Sequence, residues 1–281
     1  MDKITKKQQE IVKIVFIFRF INSKQIQKLL NHKDHRRINS WLKDLVEKGY
    51  LERDFKLVFG SITKPAVYFL STKGRSFIRE KYHFKTAYLT RLKEDKKRSK
   101  SFRIRCQLMT DFFLLFSVNK IERYTDFIDS CLVGGVKTVS LNEFQFFSPA
   151  FYEKLNYPFL LSIRPDAYLH FRGDKVIKDY FFLIIDSYIP KMMLRKKIEK
   201  LFEAYEEEDF KKRKVNFLYF NIICPNNVLI IYLKKIIPSF FERYYNSVVL
   251  FINLITRNEM YKHCQYPEKK IKIVNLFSSE Y

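Results

Sequence analysis

Cysteine is scarce in this sequence, and none of it is paired. Cys106, Cys131, Cys224 and Cys264 stand apart with no Cys-x-x-Cys step, and neither His263-Cys264 nor the other four histidines make a zinc spacing. That argues against a zinc-bound or disulfide-stapled fold and leaves free thiols in a reducing compartment, with no cofactor expected. Long apolar runs are missing as well. No stretch approaches the roughly 18 uncharged apolar residues that span a bilayer, so no membrane partner is expected, and Val228–Leu233 reads as a buried piece of a core. Lys13 and Arg19 interrupt the apolar run Ile11–Ile21, which takes a signal peptide out of the reading and makes the cytoplasm the expected location.

Acid is the third shortage, and it is local. Residues 1–110 hold 28 Lys+Arg against 10 Asp+Glu, whereas the remaining 171 hold 25 against 20. The formal net charge of +23 therefore sits mainly in the first two-fifths of the chain. A lysine-rich, AT-biased codon usage would raise the total everywhere, but it does not create that asymmetry. A concentrated cationic region points to an anionic partner, nucleic acid first. At 47% apolar and 17% aromatic the chain is globular, and 281 residues suffice for two domains with separate cores.

The first 90 residues read as helix, helix, helix, hairpin. Ile11, Ile14, Val15 and Phe18 recur at helical spacing within 5–20. Ser23 is a good N-cap for a second helix that buries Ile26, Leu29 and Leu30. Asp34 caps a third helix over about 34–48. There Ile38, Trp41, Leu42, Leu45 and Val46 form one core-facing stripe, and Arg36, Arg37, Asn39, Ser40 and Lys43 lie away from it. The acids Asp44 and Glu47 come late in that helix, the order expected of a recognition helix that enters a major groove by its N-terminal half. Gly49 suits a left-handed helix end. Tyr50–Phe59 and Ala66–Leu70 alternate as two strands around a Gly60–Pro65 tip carrying Lys64, and a further helix runs to about Tyr82. This is the order of a winged-helix DNA-binding domain, residues 1–90.

Residues 91–120 read as a basic connector and a linking helix. Lys96, Lys97 and Arg98 are candidates for phosphate contact, and the apolar helix Ile104–Val118 is expected to pack between two domains. Residues 121–281 read as an α/β domain. Phe159–Phe171 and Tyr180–Asp186 are strand-like, Pro190–Lys214 is a long helix, and Val215–Cys224 and Val248–Ile255 are further strands. Asn226–Tyr245 reads as helix broken at Pro238. A helix between strands predicts a parallel, right-handed crossover.

Arg164-Pro165-Asp166 opens one strand and Asp186 closes the next. The pair resembles the PD-(D/E)-x-K arrangement of restriction-endonuclease-like folds, in which two carboxylates hold Mg²⁺ and a lysine manages the attacking water. Here the lysine position is Tyr188, and Ile184 stands where a glutamate is usual. Lys191, Lys196 or Lys197 would have to reach back from the following helix.

Taken together, the chain resembles the replication-relaxation family of plasmid and mobile-element proteins. The resemblance rests on the early winged helix, the phrase Tyr68-Phe69-Leu70-Ser71-Thr72-Lys73-Gly74, the later Arg164-Pro165-Asp166-Ala167-Tyr168-Leu169, and Phe181–Asp186 followed by the Lys196–Tyr205 helix. It implies DNA binding in replication, relaxation or mobilisation, with a degenerate nuclease-like second domain, and double-stranded DNA and other replication or mobilisation proteins as partners. A homodimer stays open. So do two other readings, a Mg²⁺-dependent nuclease using Asp166 and Asp186, and a transcriptional repressor with a dimerising or sensing second domain.

Overall fold

In the computed structural model, which describes residues 4–55, 65–82, 86–120, 143–150, 152, 158–172, 177–206, 217–244 and 249–256, Thr5 opens the first helix with a capping box. Its hydroxyl accepts from the Gln8 N–H at 3.3 Å, and the Gln8 side chain accepts from the Thr5 N–H at 2.9 Å. The helix α1 (Lys6–Phe18) buries Ile11, Val12, Ile14, Val15, Phe16, Ile17 and Phe18. From Ile11 on, every residue but Lys13 is buried, so this half of the helix belongs at the centre of a core. In its unit α1 packs against the helices His35–Glu47, Thr72–Tyr82 and Lys100–Lys120 and the strand Val67–Leu70. It ends at Arg19, whose φ of 65° costs a side chain of this size roughly 1 kcal/mol or more. The Arg19 guanidinium offsets that cost by pairing with buried Asp95 and lying 4.6 Å from the Phe102 ring centroid.

The remaining elements of the first unit follow in order. They are β1 (Ile21–Asn22), α2 (Ser23–Leu29), α3 (His35–Glu47), β2 (Leu51–Asp54), β3 (Val67–Leu70), α4 (Thr72–Tyr82), α5 (Thr86–Leu92), a single 3-10 turn at Asp95–Lys97 and α6 (Lys100–Lys120). The three strands form an antiparallel sheet in the order β1-β3-β2. Two details differ from the sequence expectation. Asn22, not Ser23, caps α2, because Gln25 sits three residues on and completes a reciprocal box with it (3.0 and 3.1 Å). β1, too short for any alternation to announce, comes from the Phe20–Asn22 step and pairs with the hairpin.

The second unit is built on a five-stranded sheet in the order β4-β5-β6-β7-β8: β4 (Glu143–Phe147), β5 (Ala167–Arg172), β6 (Ile177–Ile184), β7 (Phe217–Cys224) and β8 (Val249–Thr256). The first two pairings are antiparallel and the last two parallel. The parallel crossovers carry α8 (Lys191–Glu206) and α9 (Asn227–Tyr244), while α7 (Pro158–Ile163) precedes β5. The molecule is thus mixed α+β, in two compact units, Met1–Lys137 and Thr138–Tyr281.

Three expectations need correction here. Pro158–Ile163 is helical, not the start of a strand, because Pro158 fits a first helical turn and Arg164 (φ 47°) ends it before β5 begins. Pro238 does not break α9; buried Leu233, Ile237 and Phe240 anchor the turns on either side of it. β4, whose Phe144, Phe146 and Phe147 are strand formers, went unread. Within the sheet, fully buried Asp179 on β6 stands in register with His170 on β5. His170 Nδ1 lies 2.6 Å from its carboxylate, and the Tyr168 hydroxyl donates to the same oxygen at 2.9 Å. Phe159, Tyr168, Phe181 and Phe220 stack around that cluster at centroid distances of 5.1–6.2 Å.

Candidate nucleic-acid interface

At its N-terminus α3 is fixed by Asp34, whose carboxylate accepts from the Arg36 and Arg37 amides at 2.8 and 3.3 Å. Its buried stripe is Ile38, Leu42 and Leu45, narrower than the sequence suggests. Trp41 is half-buried, 5.2 Å from His32 edge-on and 5.5 Å from the Arg37 guanidinium. Val46 is also half-buried. Arg36, Arg37, Asn39, Ser40 and Lys43 are all exposed on the far side. Late in the helix Asp44 ties back to the core, accepting from Lys48 at 2.8 Å and from the Gln8 side chain of α1. Those two hydrogen bonds, Lys48 first, hold its carboxyl below the ordinary value.

The exit of α3 is clasped by the segment that opens α4. Gly49 adopts φ 75° and donates to Val46 O at 3.0 Å, and Tyr50 N–H donates to Leu45 O at 2.9 Å, the paired bonds of a left-handed helix end. From the other side the Ser71 N–H donates to Tyr50 O at 3.2 Å, and the Ser71 hydroxyl donates to Gly49 O while accepting from Gly74 N–H at 3.0 Å. Lys73 Nζ donates to Lys48 O at 2.9 Å and lies 4.8 Å from the Tyr50 ring centroid. Gly74 comes so close that a Cβ there would sit 2.2 Å from the Tyr50 carbonyl oxygen. α3 is therefore held at both ends by hydrogen bonds from outside its own ladder.

A groove of about 650 Å³ runs between α3 and the β2–β3 hairpin. It is lined by Lys24 of α2, by His35, Asn39 and Lys43 of α3, and by Arg53 and Tyr68 of the hairpin. Lys24, His35 and Arg53 were not among the sequence candidates. No alternation announces Arg53: it shares a strand face with buried Leu51 and is exposed only because it lies toward the far end of the strand. Lys64 lies outside the described residues.

Residues 91–105 belong to the first unit. Lys96 pairs with Glu52 of β2 at 3.2 Å and Lys97 with Glu94 at 3.6 Å, both lysines highly exposed. Arg98 is half-buried, 5.1 Å from the Phe102 ring centroid, and Arg103 pairs with Asp54. α6 then packs on α1, α2 and β1, with Phe18 and Phe113 5.4 Å apart and the Gln25 amide donating to Gln107 O and Asp111. Apolar content was legible in this helix; which neighbours it would cover was not.

In the second unit Asp166 precedes β5, and its Oδ2 accepts from the Ile184 N–H of β6 at 2.8 Å, while its own N–H donates to Phe182 O. Asp186 lies just past β6, at the same sheet edge. Ile184 is buried and Tyr188 is 90% exposed. Among the described residues no three His, Cys, Asp or Glu side chains converge as a metal-ligand set. One oxygen of Asp166 is thus engaged by a backbone amide, and a tyrosine stands at the position where a lysine manages the attacking water in Mg²⁺-assisted hydrolysis. Among the described residues no helix is long and apolar enough to cross a membrane.

The family model described as replication-relaxation matches residues 14–216. The chain belongs to the replication-relaxation family. No curated protein matches it. A solved structure of restriction endonuclease FokI is similar at a TM-score of 0.32 and 12% identity, covering 96% of this chain and 47% of that one; the chain thus spans about half the length of that structure, and the likeness is too loose to carry argument. In this replication-relaxation protein the phrase Tyr68–Gly74 is the last hairpin strand plus the clasp on α3, and Arg164–Leu169 is the α7–β5 junction with its strand-to-strand hydrogen bond at Asp166. Both motifs lie inside the matched span and both are architectural.

Proposed function

We propose that this replication-relaxation protein binds double-stranded DNA sequence-selectively, docking its first unit as a winged helix, in the replication, relaxation, mobilisation or regulation of a plasmid or other mobile element. The observation that carries the reading is the solvent face of α3. Arg36, Arg37, Asn39, Ser40 and Lys43 stand exposed on a helix fastened at both ends, beside a groove that adds Lys24, His35 and Arg53. Arg and Lys pair with guanine edges and Asn with adenine, which suits this set to base readout. The element order α1-β1-α2-α3-β2-β3, with β1 closing the hairpin into a three-stranded sheet, supports the winged-helix assignment.

Lys64, Lys96 and Lys97 are assigned to phosphate. Arg98, 5.1 Å from the Phe102 ring centroid, adds charge next to Lys96 and Lys97 in the chain. The second unit serves assembly or partner contact and not catalysis, a reading supported by the Asp166–Ile184 hydrogen bond and by Tyr188 at the lysine position. Duplex affinity measured against salt tests the electrostatic part, since each neutralised phosphate contributes about −0.9 to the log–log slope. Lys96→Ala/Lys97→Ala/Arg98→Ala is expected to shallow the slope while sequence preference stays. A salt-insensitive affinity would contradict the proposal.

A further inference from the structure

Among the described residues, five of the eight exposed large apolar side chains fall in two short stretches of the second unit: Tyr188, Met192 and Met193, then Val228 and Ile231. The first stretch ends β6 and starts α8, and the second starts α9 just after β7. Because β6 and β7 are parallel neighbours, both helices begin at the same edge of the sheet. The two starts are joined: the Tyr232 hydroxyl donates to Lys191 O at 3.3 Å, and Lys191 Nζ lies 5.4 Å from the Tyr232 ring centroid. Single exposed apolar side chains are ordinary, but several gathered at one place mark a surface that meets something.

The stretches that carry them are cationic, with Asp186 the carboxylate that adjoins them where β6 ends. Ser187–Ile198 and Pro225–Phe241 contain six cations, Lys191, Arg195, Lys196, Lys197, Lys234 and Lys235, and no Asp or Glu. This happens in the half of the chain where the two signs are otherwise nearly balanced. We infer that this sheet edge is a docking surface for an acidic amphipathic segment of a partner protein, with its apolar side chains on the Met–Val–Ile patch and its carboxylates on the surrounding cations. Unbranched methionines adapt to differently shaped apolar partners, and opposite-sign rims set register and exclude wrong partners.

Other occupants fit less well. A second copy of the same surface would bring like charges together. Bases are held on stacked aromatic faces, and four of these five side chains are aliphatic or thioether. Interfacial membrane helices lay a continuous apolar face on lipid, whereas α8 and α9 bury theirs, Leu194 and Ile198 in one and Leu233 and Ile237 in the other, and expose their first turns.

The test titrates the full-length protein with a synthetic helical peptide carrying a leucine stripe and glutamates elsewhere. Parallel titrations use the same peptide with lysines for glutamates, a single-stranded oligonucleotide and phosphatidylserine vesicles. The glutamate peptide is expected to bind at least about tenfold more tightly than the lysine peptide. Met192→Ser/Ile231→Ser should weaken it by about tenfold or more with duplex-DNA affinity unchanged; both side chains are over two-thirds exposed, so the fold and its helical circular dichroism should persist. Lys196→Glu/Lys235→Glu should narrow or reverse the preference between the peptides. Equal binding of both peptides, no loss in either variant, or oligonucleotide or vesicle binding that the same variants abolish in place of peptide binding, would overturn the inference.

Discussion

In the first unit aspartates hold the scaffold while the cations of α3 stay exposed, Lys43 with Glu47 3.8 Å away. Asp34 caps α3, Asp44 ties it to α1, and Asp95 pairs with Arg19, while Arg36, Arg37 and Lys43 face outward. In the second unit carboxylates turn into the sheet itself, Asp166 onto an amide of β6 and Asp179 onto Tyr168 and His170. The same residue type is thus used to present a surface in one unit and to lock strands together in the other. The contrast shows that a Pro-Asp pair at a strand start can serve register as well as metal binding: Asp166 holds the β6 amide of Ile184.

The largest effect expected from breaking this contrast lies at the clasp. Gly74→Ala places a methyl group 2.2 Å from the Tyr50 carbonyl oxygen, a backbone atom that cannot rotate away. Forced shifts of that kind cost about 1–3 kcal/mol or more. Thermal unfolding of the variant should fall accordingly, and duplex affinity should fall with it as α3 loses its seat. An unchanged melting profile would mean that the clasp does not hold α3.

Next comes Asp179→Ala, which leaves the buried Tyr168 hydroxyl without its 2.9 Å acceptor. Removing a buried carboxylate that both Tyr168 and His170 share costs about 1–3 kcal/mol. Faster hydrogen exchange at β5 and β6 amides should report the loss, with duplex binding intact because the change is confined to the second unit. Unaltered exchange would make this cluster dispensable.

How much of this was legible follows from where each signal resides. α3, its Asp34 cap and Gly49 carry their information locally, in helical spacing and end residues, and the structure has them as read. The clasp does not: Ser71 and Gly74 meet Gly49 and Tyr50 more than twenty residues away, so the sequence offers a phrase without its partner. Arg91–Arg105 shows the same limit. Its lysines are solvated, as a charge run suggests, but Asp95, Lys96 and Arg103 pair with Arg19, Glu52 and Asp54, all distant in sequence. In the second unit the crossover helices were plain, while the short α7, opened by Pro158, and the five-residue strand β4 carry local signals over too few residues to set a period.

A smaller effect is expected at Asp111, where burial pushes the carboxyl up although the Gln25 amide pulls it back. A folded-state value above the unfolded one means that ionisation costs stability, and that this cost fades as pH falls through the raised value toward the ordinary carboxylate range. Asp111→Asn keeps an acceptor for Gln25 and should be slightly more stable than the parent at neutral pH, with the gain vanishing in acid. Denaturant midpoints across pH check it, and a variant less stable at every pH would contradict it. The smallest expected effect is none at all. With Mg²⁺ or Mn²⁺ the protein should cleave supercoiled, linear or single-stranded DNA no faster than Asp166→Ala/Asp186→Ala. Nicking that disappears in the double variant would make the second unit an enzyme.

The central claim, that the outward face of α3 reads duplex DNA, is tested most directly by binding Arg36→Ala/Lys43→Ala to a selected preferred site and to an unrelated duplex of equal length. Each lost base contact should cost the preferred site roughly 1–3 kcal/mol and the unrelated duplex much less, so that the two affinities converge. Both side chains are exposed, which keeps the fold out of the comparison. Affinities for both duplexes equal to those of the unsubstituted protein would contradict the account and move the interface off α3.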